Sequence, residues 1–72
     1  MKERIKSILE SALPMVDIEE DYLFSQLDSL GVTTMLMLLS EEFNISLDAS
    51  DATPKNLRNL DSITNLVQSK LS

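Results

Sequence analysis

Apolar residues recur at helix spacing in three stretches of the chain and lose that spacing in the stretches between. From Lys2 to Leu13, Ile5, Ile8, Leu9, Ala12 and Leu13 fall at i, i+3, i+4, i+7 and i+8, the spacing of one helix face. Pro14 stops that helix. Val32, Leu36, Leu39 and Phe43 fall at i, i+4, i+7 and i+11, so a second helix is predicted from Asp28 or Ser29, both good N-caps, to Phe43. Met35, Met37 and Leu38 lie off that stripe. A helix apolar nearly all round is either central or shows apolar surface to a partner, and in 72 residues it cannot be buried on every side. Asn59 is placed to cap a final helix whose inner face is Leu60, Ile63, Leu66, Val67 and Leu71.

Residues 14 to 28 are polar and acidic, with Val16, Ile18, Tyr22, Leu23, Phe24 and Leu27 scattered as apolar anchors. They read as a long loop pinned to a core. Phe43 to Leu47 alternates apolar and polar residues but has no second strand to pair with, so it is predicted as an extended loop with Ile45 and Leu47 turned inward. Thr53-Pro54 fits an N-cap followed by proline at the first helical position, which predicts a short helix to about Arg58. The expected architecture is all-α: a four-helix bundle with three long helices, a short third helix, and a long loop between helices one and two. Residues 1–72 are expected to form a single domain.

Charge adds a direction. The six basic residues lie at the ends, whereas ten acids and no base occupy the stretch from Ser7 to Pro54. The net charge of −6 disfavours nucleic acid and steers association toward basic partners. The longest apolar run, Met35 to Leu39, is far too short to insert in a membrane. A soluble, cytoplasmic monomer is expected.

The chemistry of the chain is narrow, because it contains no histidine and no cysteine. General acid–base work at neutral pH most often uses histidine, and a serine nucleophile needs an adjacent base, so catalysis by Ser29 is disfavoured. Asp48 to Asp51 resembles the start of a calcium loop, yet Thr53 stands where the turn glycine belongs and Asn59 where the bidentate glutamate belongs. No metal site is expected, and Asp17 to Asp21 reads as a solvated acidic run. Ser29 is better suited to accept a group than to attack one. A hydroxyl in the first turn of a helix lies among unpaired backbone N–H groups at the positive end of the helix dipole, where a phosphate ester is favoured.

Asp28-Ser29-Leu30, an apolar helix closing on Glu41-Glu42-Phe43, the Asn44-Ile45-Ser46-Leu47 segment, a short helix and a final amphipathic helix together resemble the acyl carrier and peptidyl carrier protein family over nearly the whole chain. The resemblance implies that Ser29 carries a 4′-phosphopantetheine arm taken from coenzyme A, and that the following helix is the main recognition surface. It explains how a chain without cysteine handles thioesters, since the thiol arrives with the arm. It also makes Asp28 a candidate for assisting the phosphopantetheinyl transferase, through its magnesium ion. The implied partners are that transferase, a cargo-loading ligase or acyltransferase, and downstream synthase enzymes.

The second helix departs from the fatty-acid carriers, which usually bear further acids soon after the serine. Here Gly31 and Thr34 are uncharged and the acids wait until Glu41 and Glu42. Leu30, Thr33 and Met37 lie opposite Leu36, Leu39 and Phe43 and suit an apolar docking stripe. The Asp-Ser-Leu-Gly segment also resembles dedicated carriers of amino acids, including the D-alanyl carriers. The expected function is an acyl or aminoacyl carrier of a specialised pathway, with no catalysis of its own. The rival is an unmodified acidic adaptor that binds partners through helix two.

Overall fold

The computed structural model describes residues 1–72. Its three α-helices are α1 (Lys2–Ala12), α2 (Ser29–Phe43) and α3 (Leu60–Leu71), with 3₁₀ turns at Leu23–Gln26 and Ala49–Asp51 and no strand. The first two helices are antiparallel. Arg4, near the start of α1, pairs with Glu42 at the end of α2, while Leu13, just past the end of α1, lies against Gly31 in the first turn of α2.

The periodicity of each helix delivers a face to one core. Ile5 and Leu9 come from α1, Met35 and Leu39 from α2, and Leu60, Ile63, Leu66 and Val67 from α3; Ile18, Leu23 and Leu57 join them from the connecting segments. Burial of this apolar surface is the dominant force holding the three helices together. The loop anchors behave as expected, with Ile18 and Leu23 buried and Val16, Phe24 and Leu27 packed on the core from outside. Tyr22 does not. Its side chain is 61% exposed and lies beneath the Arg58 guanidinium, 4.9 Å from the ring centroid, as an amphipathic ring with a cationic neighbour can.

Four further details correct the sequence-based expectations. The short third helix is absent: Thr53 Oγ1 accepts from the Asn56 N–H at 3.0 Å, as a cap does, but residues 54–57 form only a turn. One helical bond forms, from the Leu57 N–H to the Thr53 carbonyl at 3.0 Å, and the Arg58 carbonyl then accepts from the Leu23 N–H at 2.7 Å instead of continuing a helix. Met35, assigned off the buried stripe, is fully buried, because α2 packs against both α1 and α3 and is covered over a wider arc than one stripe. Leu71, assigned to the inner face, is 47% exposed; α3 runs past the edge of the core before it ends. The run Asp17 to Asp21 is more than solvated, since Glu19 pairs with Lys6 and Asp21 with Arg58.

The remaining connections follow from local chemistry. Asn44 ends α2 in the left-handed conformation, φ 53°, which asparagine adopts more readily than most residues. The reversal sends Ile45 and Leu47 back onto the core, and the Leu47 N–H donates to Ser40 Oγ at 3.1 Å. Asp48 and Asp51 cap the second 3₁₀ turn reciprocally, a capping box in place of the calcium loop. Asn59 caps α3 as expected, accepting from the Ser62 N–H at 2.9 Å.

Candidate functional site

Asp28 is the N-cap of α2, in extended backbone conformation, and its Oδ1 accepts a 2.7 Å hydrogen bond from the Gly31 N–H. One carboxylate oxygen is thereby committed to the helix and the other is free of protein partners. Ser29 follows as the first helical residue and is exposed. Its hydroxyl makes no hydrogen bond within the chain, although its carbonyl accepts from Thr33 Oγ1 at 2.9 Å. The N–H groups of Ser29 and Leu30 also lack partners in the chain, as the first turn of a helix dictates.

Other serines are arranged differently. Those at 25, 40, 50, 62, 69 and 72 all have their hydroxyls in hydrogen bonds. Ser7 and Ser11 lie inside α1, and Ser46 lies in an extended loop. Ser29 alone joins an unengaged hydroxyl to the N-terminal turn of a helix.

Gly31, the only glycine in the sequence, explains how the capping acid fits against the first turn of α2. A Cβ there would stand 3.1 Å from Asp28 Oδ1 and 3.5 Å from Leu13 Cδ2. Its absence gives room to the capping carboxylate, whereas the Leu13 distance is an ordinary van der Waals contact.

Beside Ser29 opens a groove of about 620 Å³ between α2 and the Leu47–Ala52 segment. Phe24, Leu27, Val32, Leu36, Leu47 and Ala52 supply most of its apolar wall, and Asp28 and Asp48 stand among its lining residues. Nothing in the hydrophobic pattern pointed to this groove; the inward turn of Leu47 was the one available sign. Asp48 is held below the usual carboxylate range by its hydrogen bonds from the Ser50 hydroxyl and backbone, so it is anionic at neutral pH.

The expected recognition residues divide into two groups. Leu30 and Met37 are 73% and 53% exposed, and Thr33 and Glu41 are exposed on the same face. Met37 is therefore surface and not core filler. Glu42 is exposed as well, but it is tied to Arg4, which leaves Glu41 as the acid without a cation at the end of α2.

The description "phosphopantetheine attachment site" belongs to the family whose profile matches residues 1–67. The chain belongs to that family. No curated protein and no solved structure matches it. As a phosphopantetheine attachment domain the chain carries 4′-phosphopantetheine and works as a carrier protein. Domains of this family generally hold cargo for modifying and partner enzymes and leave the catalysis to them. The residues present fit the group, because attachment needs an accessible hydroxyl, and Ser29 offers one beside unpaired backbone N–H groups in the first turn of α2. No helix is long and apolar enough to cross a membrane.

Proposed function

We propose that Ser29 is the residue that bears the arm, and that residues 1–72 form one carrier domain for acyl or aminoacyl cargo in a specialised biosynthetic pathway rather than in bulk fatty-acid synthesis. The observation that carries this reading is the exposed, unbonded Ser29 hydroxyl at the N-terminus of α2. When bound, the prosthetic group supplies a terminal thiol on which cargo is held as a thioester. The chain's own residues present and orient. The unpaired N–H groups of Ser29 and Leu30 and the α2 dipole favour a phosphate ester at this position. Asp28 keeps one carboxylate oxygen on the Gly31 N–H and turns the other outward, where it serves the transferase.

Leu30, Thr33 and Met37 with Glu41 and Glu42 form the partner surface in this reading. The stripe beside Ser29 is apolar where an acidic one would select strongly basic enzymes, and this favours dedicated partners: a phosphopantetheinyl transferase, a loading ligase or acyltransferase, and the synthase that consumes the cargo. A cytoplasmic monomer without catalysis of its own completes the reading, since a net charge of −6 opposes self-association.

Mass spectrometry after incubation with coenzyme A and a promiscuous phosphopantetheinyl transferase tests it. One phosphopantetheine should add to the wild type and none to Ser29→Ala. An adduct that survives in Ser29→Ala overturns the assignment. Unchanged cellular function of Ser29→Ala would instead favour an unmodified acidic adaptor binding through helix α2.

A further inference from the structure

We infer that Lys70, in the last turn of α3, is a positioning residue for the Ser29 groove: through Asp51 it holds the Leu47–Ala52 wall in place, although its own side chain lies outside the groove. The two walls differ in what fixes them. On one side Val32, Leu36 and Met37 stand on α2, a regular helix in which Met35, Leu36 and Leu39 are buried. On the other side no residue from Asn44 to Asn56 is fully buried, and Leu47 and Ala52 pack on the core only in part. So little apolar anchorage leaves the placement of this wall to polar bonds.

Those bonds converge on Asp51. Its Oδ2 accepts from the Asp48 N–H at 3.1 Å, its carbonyl accepts from Asn56 Nδ2 at 3.0 Å, and its Oδ1 lies 3.1 Å from Lys70 Nζ. Asp48 in turn accepts from the Ser50 N–H at 2.9 Å and lines the groove together with Ser29. Lys70 does not line it. Its side chain borders a separate polar cleft of about 480 Å³, with Asp51, Asn56, Ser62 and Ser69. The polar link between α3 and the groove wall thus runs through one carboxylate, held by Lys70 on one oxygen and by the Asp48 N–H on the other.

Of the five ion pairs in the chain, this one is the least open to water. The Asp51 side chain is 14% exposed, against 31–72% for the acids of the other four. Exposed pairs contribute little because solvent and salt screen them, and a shielded pair is screened less. The Ser50 hydroxyl and N–H are the main causes that hold the Asp48 carboxyl below the usual carboxylate range, and the Lys70 charge adds to them. The consequence for function rests on Ser29 as the acceptor. An enzyme that docks at Ser29 meets a wall already in place, and a loosened wall would have to be ordered on each encounter, which raises KM and leaves kcat unchanged.

Three variants separate this role from a general effect on stability. Lys70→Met keeps the aliphatic stem and removes the charge, Lys70→Arg keeps the charge, and Asp51→Asn keeps an oxygen for the Asp48 N–H while neutralising the pair. In the full-length unmodified chain, amide exchange followed by NMR should quicken about threefold at Asp48, Asp51 and Ala52 in Lys70→Met and in Asp51→Asn. It should keep wild-type rates in Lys70→Arg and throughout α1 and α2. The double variant should be no faster than either single one. In loading from coenzyme A by a promiscuous phosphopantetheinyl transferase, Lys70→Met should raise KM for the chain about threefold at unchanged kcat, and Lys70→Arg should not. Wild-type exchange in Lys70→Met, faster exchange confined to the end of α3 as loss of a dipole partner would give, or an unchanged KM overturns the proposal. A wild-type chain that takes up no phosphopantetheine at Ser29 refutes the carrier assignment instead, and the exchange rates still decide whether Lys70 holds the wall.

Discussion

The Gly31 N–H donates to Asp28 Oδ1 across 2.7 Å, and the same oxygen lies 3.1 Å from where a Cβ on residue 31 would stand. The cap that starts α2 thus depends on the side chain that residue 31 lacks. Glycine inside a helix ordinarily costs about 1 kcal/mol relative to alanine, a cost accepted here to seat the Asp28 carboxylate. Gly31→Ala should therefore fail to give the usual gain. Thermal unfolding should show a Tm equal to or below that of the wild type, whereas a rise of about 4 °C or more would show that the carboxylate moves aside freely.

Asp28 caps α2, and substitution separates that role from the one proposed for it in loading. Asp28→Ala removes the cap and should cost about 1 kcal/mol, a Tm lowered by about 4–8 °C in a domain of this size. Asp28→Asn keeps an oxygen that accepts from Gly31 and should keep the Tm, while its rate of phosphopantetheine loading falls by about tenfold, or ~1.4 kcal/mol in the barrier. Equal loading of Asp28→Asn and wild type, measured by mass spectrometry over time, would restrict Asp28 to the cap.

Met35 and Met37 are two residues apart on α2 but occupy opposite environments, one fully buried and the other 53% exposed. Met35→Ala should destabilise by about 2–5 kcal/mol through lost burial and an unfilled cavity. Met37→Ala should stay within about 0.5 kcal/mol of wild type, with its effect confined to partner binding. Urea unfolding of the two variants reads the difference as a shift in midpoint with little change of slope.

Asn59 joins two elements, its Oδ1 accepting from the Ser62 N–H at the start of α3 and its Nδ2 donating to Asp21 in the long loop at 2.9 Å. That bond, followed by the Arg58 guanidinium, holds the Asp21 carboxyl below the usual carboxylate range. A depressed folded-state value stabilises the native chain above the ordinary aspartate value of about 3.9, and the contribution is lost as pH falls through the folded value. Acidification should loosen the loop at Asp21, and Asn59→Ala should move the Asp21 carboxyl resonance toward ordinary titration. An ordinary Asp21 titration in the wild type would refute this.

Much of the fold was legible because helix faces are local. Ile5 and Leu9, Leu39, and Leu60 to Val67 occupy the core at the positions their spacing gave, and Asp28 and Asn59 cap the helices expected of them. The exposed Ser29 and the Asp28 cap were legible for the same reason, since a helix start is written in a few consecutive residues. Thr53-Pro54 misled because its capping bond forms while the Arg58 carbonyl bonds to Leu23, and no local signal reveals that partner.

What the sequence determined alone was the set of helix faces, the acidic surface and a hydroxyl at a helix start, because each depends on residues within a few positions of one another. Tertiary structure decided the rest. It buried Met35 and exposed Leu71, tied Glu42 to Arg4 while leaving Glu41 unpaired, and opened a groove on each flank of α2. These outcomes depend on which elements meet in space, and a side chain's cover and charge partners come from residues dozens of positions away.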